Sequence, residues 1–236
     1  MRVAVSLVAG GEADARARLG RGARPTAVVV DVLRATTTLT VALANGARAV
    51  EAFAGTAEAL ARRDATPGML ACGERDDRIV PGFDLGNSPF EFTPERVGGR
   101  ALAFASTNGS LALLGAAGCE RRLLGAFVNA GAVLARLHAV RPECVLVACA
   151  GKEGAFALED AAFAGWLCTA LAADGATLAD PAARFAAALA PADAAAARAV
   201  VEGAAHARWL RGLGPEYVRD VAFCATLDAL DRVFEV

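Results

Sequence analysis

The chain has 236 residues, of which 56% are hydrophobic and 21% are charged, and its formal net charge is −2. This length and composition are typical of a globular protein that buries a sizeable core, in one large α/β domain or two small ones. No apolar segment reaches the roughly 20 residues that span a bilayer. No basic cluster offers a footprint for nucleic acid. We therefore predict neither a membrane nor a nucleic-acid partner.

Seven apolar runs have the length of β-strands. They lie at residues 2–8, 26–32, 48–54, 69–72, 101–105, 122–127 and 144–149. Helical patterns follow many of them, at residues 35–44, 56–63, 108–116 and 129–139. Strands that alternate with helices predict βαβ units. The expected fold class is therefore α/β, a three-layer α/β/α arrangement around a largely parallel or mixed sheet.

Residues 73–94, GERDDRIVPGFDLGNSPFEFTP, interrupt this alternation with three prolines and three glycines. A loop of about 20 residues is uncommon in a compact domain and is often a lid or a binding loop. A strand-turn-strand segment is the alternative. Within the loop, Asp76-Asp77 is interpreted as a solvated turn.

The pattern after residue 157 is mainly helical, at residues 159–173, 182–190 and 193–212, before a short apolar end, RVFEV. No linker clearly separates two domains. We predict a single domain over residues 1–236, with a helical C-terminal part that could form a small lobe from about residue 175 to 236.

Cysteine and histidine usage limits the chemistry of the site. The six cysteines include no Cys-x-x-Cys pair, and the two histidines are His138 and His206. This spacing argues against a disulfide framework and against a zinc site.

Polar residues follow four of the predicted strands directly. Asp31 follows AVVV, Glu74 follows MLAC and a glycine, Thr107 lies just after ALAFA, and Gly151 comes after VLVACA. In open parallel sheets, ligands bind outside the carboxyl ends of the strands, where helix N-termini present unpaired amides. Each motif alone could be a helix cap or a turn. Their convergence predicts a ligand site.

An anionic substrate with a hard cation fits these residue types. Helix amides, threonine hydroxyls and Arg34 can cradle phosphate oxygens. Carboxylate oxygens are the ligands that Mg²⁺ prefers. The available carboxylates are those of Asp31, Glu74, Asp84, Glu159 and Asp160. The last two also open a predicted helix, where the dipole favours acids without any metal.

Five segments resemble successive blocks of the 2-phosphosulfolactate phosphatase family. They read DVLRATTTLTVALANGA, CGERDDRIVPGFDLGNSP, STNGSLAL, CAGKEGAFALEDAAFAG and DVAFCATLD, in the family's order. The resemblance implies a three-layer α/β fold, a cytoplasmic location and Mg²⁺-dependent hydrolysis of (2R)-2-phospho-3-sulfolactate to sulfolactate and phosphate. That reaction is a step of coenzyme M biosynthesis.

The blocks bring site residues with them, and the roles within each block are our inference. The expected catalytic residues are Asp31, Arg34, Glu74 and Asn108. The expected substrate contacts are Thr36, Thr37, Asn87, Thr107, Gly109 and Lys152. The expected ligands of Mg²⁺ are Asp31, Asp84, Glu159 and Asp160. The expected partner is a small anionic phosphoester, and a homodimer is left open.

Three other interpretations compete. A noncatalytic anion-binding module would use the same helix N-termini without a cluster of acids. Cys72 and Arg78 have the spacing of a cysteine phosphatase loop, but the acids between them would raise the pKa of the thiol and repel the substrate. An aspartyl nucleophile of the haloacid-dehalogenase kind needs a second Asp where this chain has Leu33.

Overall fold

The computed structural model describes residues 1–236 and confirms the alternation of strands and helices. The strands are β1 (Arg2–Ser6), β2 (Thr26–Val30), β3 (Ala49–Ala52), β4 (Leu70–Gly73), β5 (Ala101–Ala105), β6 (Arg121–Gly125), β7 (Cys144–Cys149) and β8 (Thr177–Leu178). The helices of the first half are α1 (Glu12–Arg18), α2 (Ala35–Ala44), α3 (Thr56–Asp64), α4 (Pro94–Val97) and α5 (Gly109–Gly115). Those of the second half are α6 (Ala130–Val140), α7 (Leu158–Ala173), α8 (Pro181–Ala188), α9 (Ala194–Gly203), α10 (Ala205–Leu213) and α11 (Pro215–Cys224).

The strands form two parallel sheets. The larger sheet has the order β6-β2-β7-β1-β8, and the smaller one has the order β3-β5-β4. Together with the helices they build the predicted three-layer α/β/α fold. The division into two sheets was not predicted, because an apolar run indicates a buried strand without indicating its neighbours.

Strand β2 lies between the two main parts of the core. Val28 and Val30 belong to a cluster of 30 buried residues that also contains Leu210 and Val221 from the C-terminal helices. The intervening Val29 belongs to a second cluster of 18 residues shared with the smaller sheet. Successive side chains of a strand point to opposite faces, so β2 joins both clusters. Its carboxyl end is therefore held from both sides.

The C-terminal part is helical as predicted, but its boundaries differ. The pattern at 193–212 corresponds to two helices, α9 and α10, separated by the extended backbone of Ala204. Gly203, the last residue of α9, is the sequence signal for this break, and the surrounding alanines, which favour helix, conceal it. Helix α11 follows after Gly214, and the sequence did not predict it. No helix of the structure combines the length and the apolar character that crossing a bilayer requires.

Residues 74–93 form the predicted long loop. Its regular parts are a tight turn closed between Arg75 and Arg78 and a short 3-10 helix at Pro89–Glu91. Asp76 and Asp77 both have left-handed backbone, with φ of 52° and 63°. Asp76 is exposed as expected, whereas Asp77 is buried, so the interpretation of this pair as a solvated turn is wrong for Asp77.

Candidate active site

The carboxyl ends of strands from both sheets meet at one place. Glu74, after β4, accepts hydrogen bonds from the backbone N–H of Thr107 (2.7 Å) and from its hydroxyl (3.1 Å), after β5. Asn108 Oδ1 accepts the backbone N–H of Glu153, in the turn after β7, at 3.0 Å. Asp31, after β2, packs against the first residue of α5. The predicted convergence of these turns is therefore present.

Asp31 lies at the centre of this arrangement. Its Oδ1 accepts the backbone N–H of Ala35 at 3.2 Å, and no protein group donates to its Oδ2. The pKa of Asp31 is raised to about 6, chiefly by burial and also by the charges of Glu74 and Glu159, against the lowering effects of His206 and of the hydrogen bond from Ala35. At neutral pH this carboxylate is largely ionised in surroundings that solvate it poorly.

Gly109 makes the position of Asp31 sterically possible. A Cβ atom at this glycine would lie 2.5 Å from Asp31 Oδ2. No carbon and oxygen pack that closely, so only glycine lets the N-terminus of α5 approach the carboxylate. The sequence predicted that Gly109 contacts the substrate. The structure shows that this glycine leaves room for the Asp31 carboxylate.

Replacing Gly109 by alanine should displace the Asp31 carboxylate and the first turn of α2, because the new Cβ would lie even closer to Ala35 Cβ than to Asp31 Oδ2. Because misplacing a catalytic group by about 1 Å can cost on the order of 10²-fold, we expect kcat to fall at least about tenfold in a protein that still folds. Steady-state kinetics and thermal melting check this. Gly212→Ala is the control, since no atom lies within 4 Å of a Cβ there. It should keep full activity and gain up to about 1 kcal/mol of stability. Unchanged kcat in Gly109→Ala would contradict the steric role.

Asp160 joins the turns that follow β2 and β7. Its Oδ1 accepts the backbone N–H of Val32 at 2.8 Å, and its Oδ2 accepts that of Gly151 at 3.1 Å. Burial raises the pKa of Asp160 well above its usual range, and the neighbouring charges of Asp31 and Glu159 act in the same direction. Both oxygens are thus used in holding the two turns beside Asp31.

A second group of side chains surrounds the carboxylate of Asp77. Lys152 Nζ lies 2.9 Å from Oδ2, His206 Nε2 lies 2.9 Å from Oδ1, and Trp209 Nε1 donates to Oδ2 at 3.1 Å. Burial opposes a charge on His206, but its hydrogen bonds to Asp77 and Glu159 raise the pKa of His206 to about 9. The imidazole is therefore cationic at neutral pH.

These residues line a pocket whose volume is about 720 Å³. Its walls are the Arg75–Arg78 turn, the segment from Lys152 to Glu159, and helix α10. Asp31 is 7% exposed and lies behind the wall. Glu159 faces the pocket and also interacts electrostatically with Asp31, so it connects the pocket with the buried acids.

The structure revises the roles of Thr36 and Thr37. The Thr36 hydroxyl lies within hydrogen-bond distance of the carbonyl oxygens of Asp31 and Gly125, and the Thr37 hydroxyl donates to Val32 O at 2.9 Å. Both threonines are fully buried. Their hydroxyls hold the turn that carries Asp31 and are not available to a substrate.

Arg34 also has a different role from the predicted grip on phosphate. Its Nη1 forms a 2.7 Å salt bridge with Asp220 of α11, and its Nη2 donates to the carbonyl oxygen of Asp77 at 3.0 Å. The guanidinium is 4.8 Å from the ring centre of Tyr217. Its charge is already paired and its side chain is 3% exposed, so it links the Asp31 turn to the C-terminal helices.

Asp84 lies outside the site. Its Oδ2 accepts the backbone N–H of Ala71 at 2.8 Å and forms a salt bridge with Arg63 of α3 at 3.1 Å. The expected role as a metal ligand is therefore wrong, because the loop returns beside Ala71 and runs parallel to β4, so Asp84 lies short of the strand's carboxyl end. Asn87 is buried with no partner for its Oδ1, and its substrate role stays a prediction.

The donor chemistry of the site suits Mg²⁺. Five carboxylates lie here, those of Asp31, Glu74, Asp77, Glu159 and Asp160. The cations beside them are Lys152 and His206. Arg34 is also nearby, but Asp220 neutralises its charge. No three acidic, His or Cys side chains lie close enough together to hold a metal by themselves. Mg²⁺ is often held by one or two carboxylates with water and substrate oxygens. Asp31 and Glu159, each with an oxygen free of hydrogen bonds, fit that manner of binding.

Comparison with known proteins identifies the family of this chain. The model of the 2-phosphosulpholactate phosphatase family matches residues 16–236. The chain belongs to the 2-phosphosulfolactate phosphatase family. Its relatives include proteins named "Probable 2-phosphosulfolactate phosphatase" from two strains of Synechococcus and one of Prochlorococcus marinus. For Synechococcus sp. RCC307 the identity is 43% over 227 residues, covering 90% of this chain and 89% of the relative. For strain WH7803 it is 41% over 209 residues (88% and 85%), and for P. marinus MIT 9313 it is 40% over 219 residues (90% and 90%).

The first four of the five segments that resemble the 2-phosphosulfolactate phosphatase family contain Asp31, Glu74, Thr107 and Asp160. The fold brings these four residues together. Two pocket residues, His206 and Trp209, lie between the fourth and fifth segments and were missed. A weak signal existed, because His206 is one of two histidines in the chain. Asp220 opens the fifth segment, and its pairing with Arg34 was also missed.

Proposed function

We propose that this chain is a phosphatase that hydrolyses the phosphate ester of (2R)-2-phospho-3-sulfolactate, or a related small anionic phosphoester, to the alcohol and phosphate. Membership of the 2-phosphosulfolactate phosphatase family supports this reaction. The structural observation that carries it is a cluster of buried carboxylates next to a pocket lined by Lys152 and His206. A polyanionic ester needs both cationic neighbours and acids that organise a cation or a water molecule.

In this proposal Asp31 orients the attacking water. Its Oδ1 is fixed by the Ala35 N–H, so its free Oδ2 can hold in a defined direction either a water molecule or a Mg²⁺ ion that binds the water. Glu74 and Asp160 then act indirectly, because their oxygens hold the neighbouring turns in place.

Asp31 and Glu159 are the residues that would hold Mg²⁺. A bound Mg²⁺ ion would neutralise charge on the phosphoryl oxygens. Magnesium dependence, a cytoplasmic location and a place in coenzyme M biosynthesis all belong to the proposal, and they rest on the family resemblance together with the oxygen-rich donor set.

Removal of the metal is the direct test of this function. With 2-phospho-3-sulfolactate as substrate, chelation by EDTA should lower phosphate release at least a hundredfold, and Mg²⁺ or Mn²⁺ should restore it while Zn²⁺ should not, because the site offers hard oxygen ligands. Thermal melting in EDTA shows whether the protein is still folded. Full activity after exhaustive chelation would contradict metal dependence. No phosphate release from any small phosphoester, with Mg²⁺ present, would favour a noncatalytic anion-binding module.

A further inference from the structure

The carboxylate of Asp77 occupies a place that is built like an anion-binding site. Three N–H donors converge on it, from Lys152 in the turn after β7 and from His206 and Trp209 one turn apart on α10. The Asp77 side chain is 6% exposed, although the residue belongs to a surface turn. Two of the donors carry positive charge, so the cluster would bind any oxyanion that replaced this carboxylate.

The main chain of Asp77 is held separately from its side chain. Its N–H donates to Glu74 Oε2 at 2.8 Å, and its carbonyl oxygen accepts from Arg34 Nη2 and from the Tyr217 hydroxyl, both at 3.0 Å. Rotation about the side-chain bonds would therefore release the three donors without opening the turn. The adjoining pocket of about 720 Å³ provides the space for a ligand.

The charges favour exchange of one anion for another. Lys152 and His206 are balanced by Asp77 and by Glu159, whose Oε1 lies 3.5 Å from His206 Nδ1. If the Asp77 carboxylate moves into solvent and a singly charged anion takes its place, the charge buried at the cluster does not change. Desolvation would oppose any exchange that left Lys152 and His206 unpaired.

We propose that Lys152, His206 and Trp209 form the subsite for the non-reacting sulfonate of the substrate, and that the Asp77 carboxylate occupies this subsite until the substrate displaces it. Lys152 and Trp209 contact one oxygen of this carboxylate and His206 contacts the other, so the three donors can each bind an oxygen of a sulfonate placed there. The inference rests on the proposed function, since it assigns one end of that substrate. Asp77 then acts as an internal competitor that makes the pocket select for anions able to displace it.

The first experiment measures binding without turnover. Wild type, Asp77→Asn and Asp76→Asn are titrated with 3-sulfolactate by calorimetry. Asparagine tolerates the left-handed backbone at both positions, and each variant removes one negative charge from the same turn. If the competitor occupies the subsite about 90% of the time, its removal lowers Kd about tenfold. We expect this decrease for Asp77→Asn and no change for Asp76→Asn. Equal or weaker binding by folded Asp77→Asn would overturn the proposal.

Kinetics separate this inference from the proposed function. Asp77→Asn should lower KM for 2-phospho-3-sulfolactate and leave KM unchanged for p-nitrophenyl phosphate, which has no second anion. A merely structural role of Asp77 would raise KM for both substrates. If the wild type releases no phosphate from these substrates, the proposed function is refuted. If the wild type is active but Asp77→Asn does not lower KM for 2-phospho-3-sulfolactate, only this inference is refuted.

A fluorescence measurement needs no change at Asp77. The chain has two tryptophans, so Trp166→Phe leaves Trp209 as the only indole. Addition of 3-sulfolactate should change Trp209 emission, because its N–H exchanges a carboxylate for a sulfonate, and Lys152→Gln should abolish the change. Unaltered emission at concentrations that inhibit phosphate release would also overturn the proposal.

Discussion

Asp31→Asn is expected to lower kcat on 2-phospho-3-sulfolactate by roughly 10²–10³-fold, the loss typical when one preorganised charged group is removed from an active site. The variant should fold normally. Burial raises the pKa of Asp31 to about 6, so the ionised carboxylate present at neutral pH is less stable in the folded state than in the unfolded state. Removing that charge should leave the melting temperature unchanged or raise it, by an amount equivalent to at most about 3 kcal/mol.

Asp84→Asn is the matched control for this experiment. It removes one carboxylate of the same kind from a position where the side chain contacts Ala71 and Arg63. We expect kcat close to that of the wild type. The alternative role of Asp31, as a helix cap, predicts a loss of about 1 kcal/mol of stability with activity retained. Near wild-type kcat for Asp31→Asn at saturating Mg²⁺ would refute its catalytic assignment.

The buried salt bridge between Arg34 and Asp220 should give the largest effect on stability. Asp220→Asn would leave the guanidinium buried without its counter-charge, and such losses cost on the order of 3–5 kcal/mol. It would also weaken the 2.6 Å hydrogen bond from the Ser88 hydroxyl to Asp220. Urea unfolding measures the change in the free energy of unfolding. The exposed pair of Arg198 and Glu202 is the comparison, since Glu202→Gln should cost less than about 0.5 kcal/mol.

A double variant distinguishes a structural from a substrate-binding Arg34. Replacing a buried ion pair by apolar residues of similar volume often restores stability, so Arg34→Met with Asp220→Leu should be more stable than either single change. If Arg34 only supports the turns, phosphate release should recover together with stability. If the double variant is stable but has lost activity by more than a hundredfold, Arg34 contacts the substrate and our assignment is wrong.

The sequence predicted the fold well where a single strand or helix carries its own signal. Continuous apolar runs such as AVVV and VLVACA are strands of the expected extent, because burial on both faces needs apolar side chains throughout. The partition into two sheets depends on which strands pair, and that information is not local. The break between α9 and α10 was missed although Gly203 precedes it, because the alanines on both sides favour a continuous helix.

The sequence predicted those site residues that lie directly after a strand. Asp31, Glu74 and Thr107 follow strands directly, so parallel topology alone brings them together. His206 and Trp209 come from an amphipathic helix more than 125 residues after Asp77, where nothing in the local pattern indicates the partner. For Thr36 and Thr37 the sequence instead predicted a substrate contact that their hydrogen bonds do not allow. Their hydroxyls can bind either a ligand or a nearby carbonyl oxygen, and the backbone geometry of the turn decides in favour of the carbonyl oxygens.

The contacts of Arg34 and Asp77 with α10 and α11 imply an order of events on the ribosome. Seven of the eight strands, through β7, are synthesised before residue 150, and a nascent chain of that length already contains Asp31, Glu74 and Asp77. It still lacks His206, Trp209 and Tyr217, which hold Asp77, and Asp220, which neutralises Arg34. Since domains are made from the N-terminus, the candidate active site is completed only after α11 has left the exit tunnel. Phosphatase activity should therefore appear in one late step of synthesis, and a fragment that ends before α10 would contain nearly all of the sheets and no working centre.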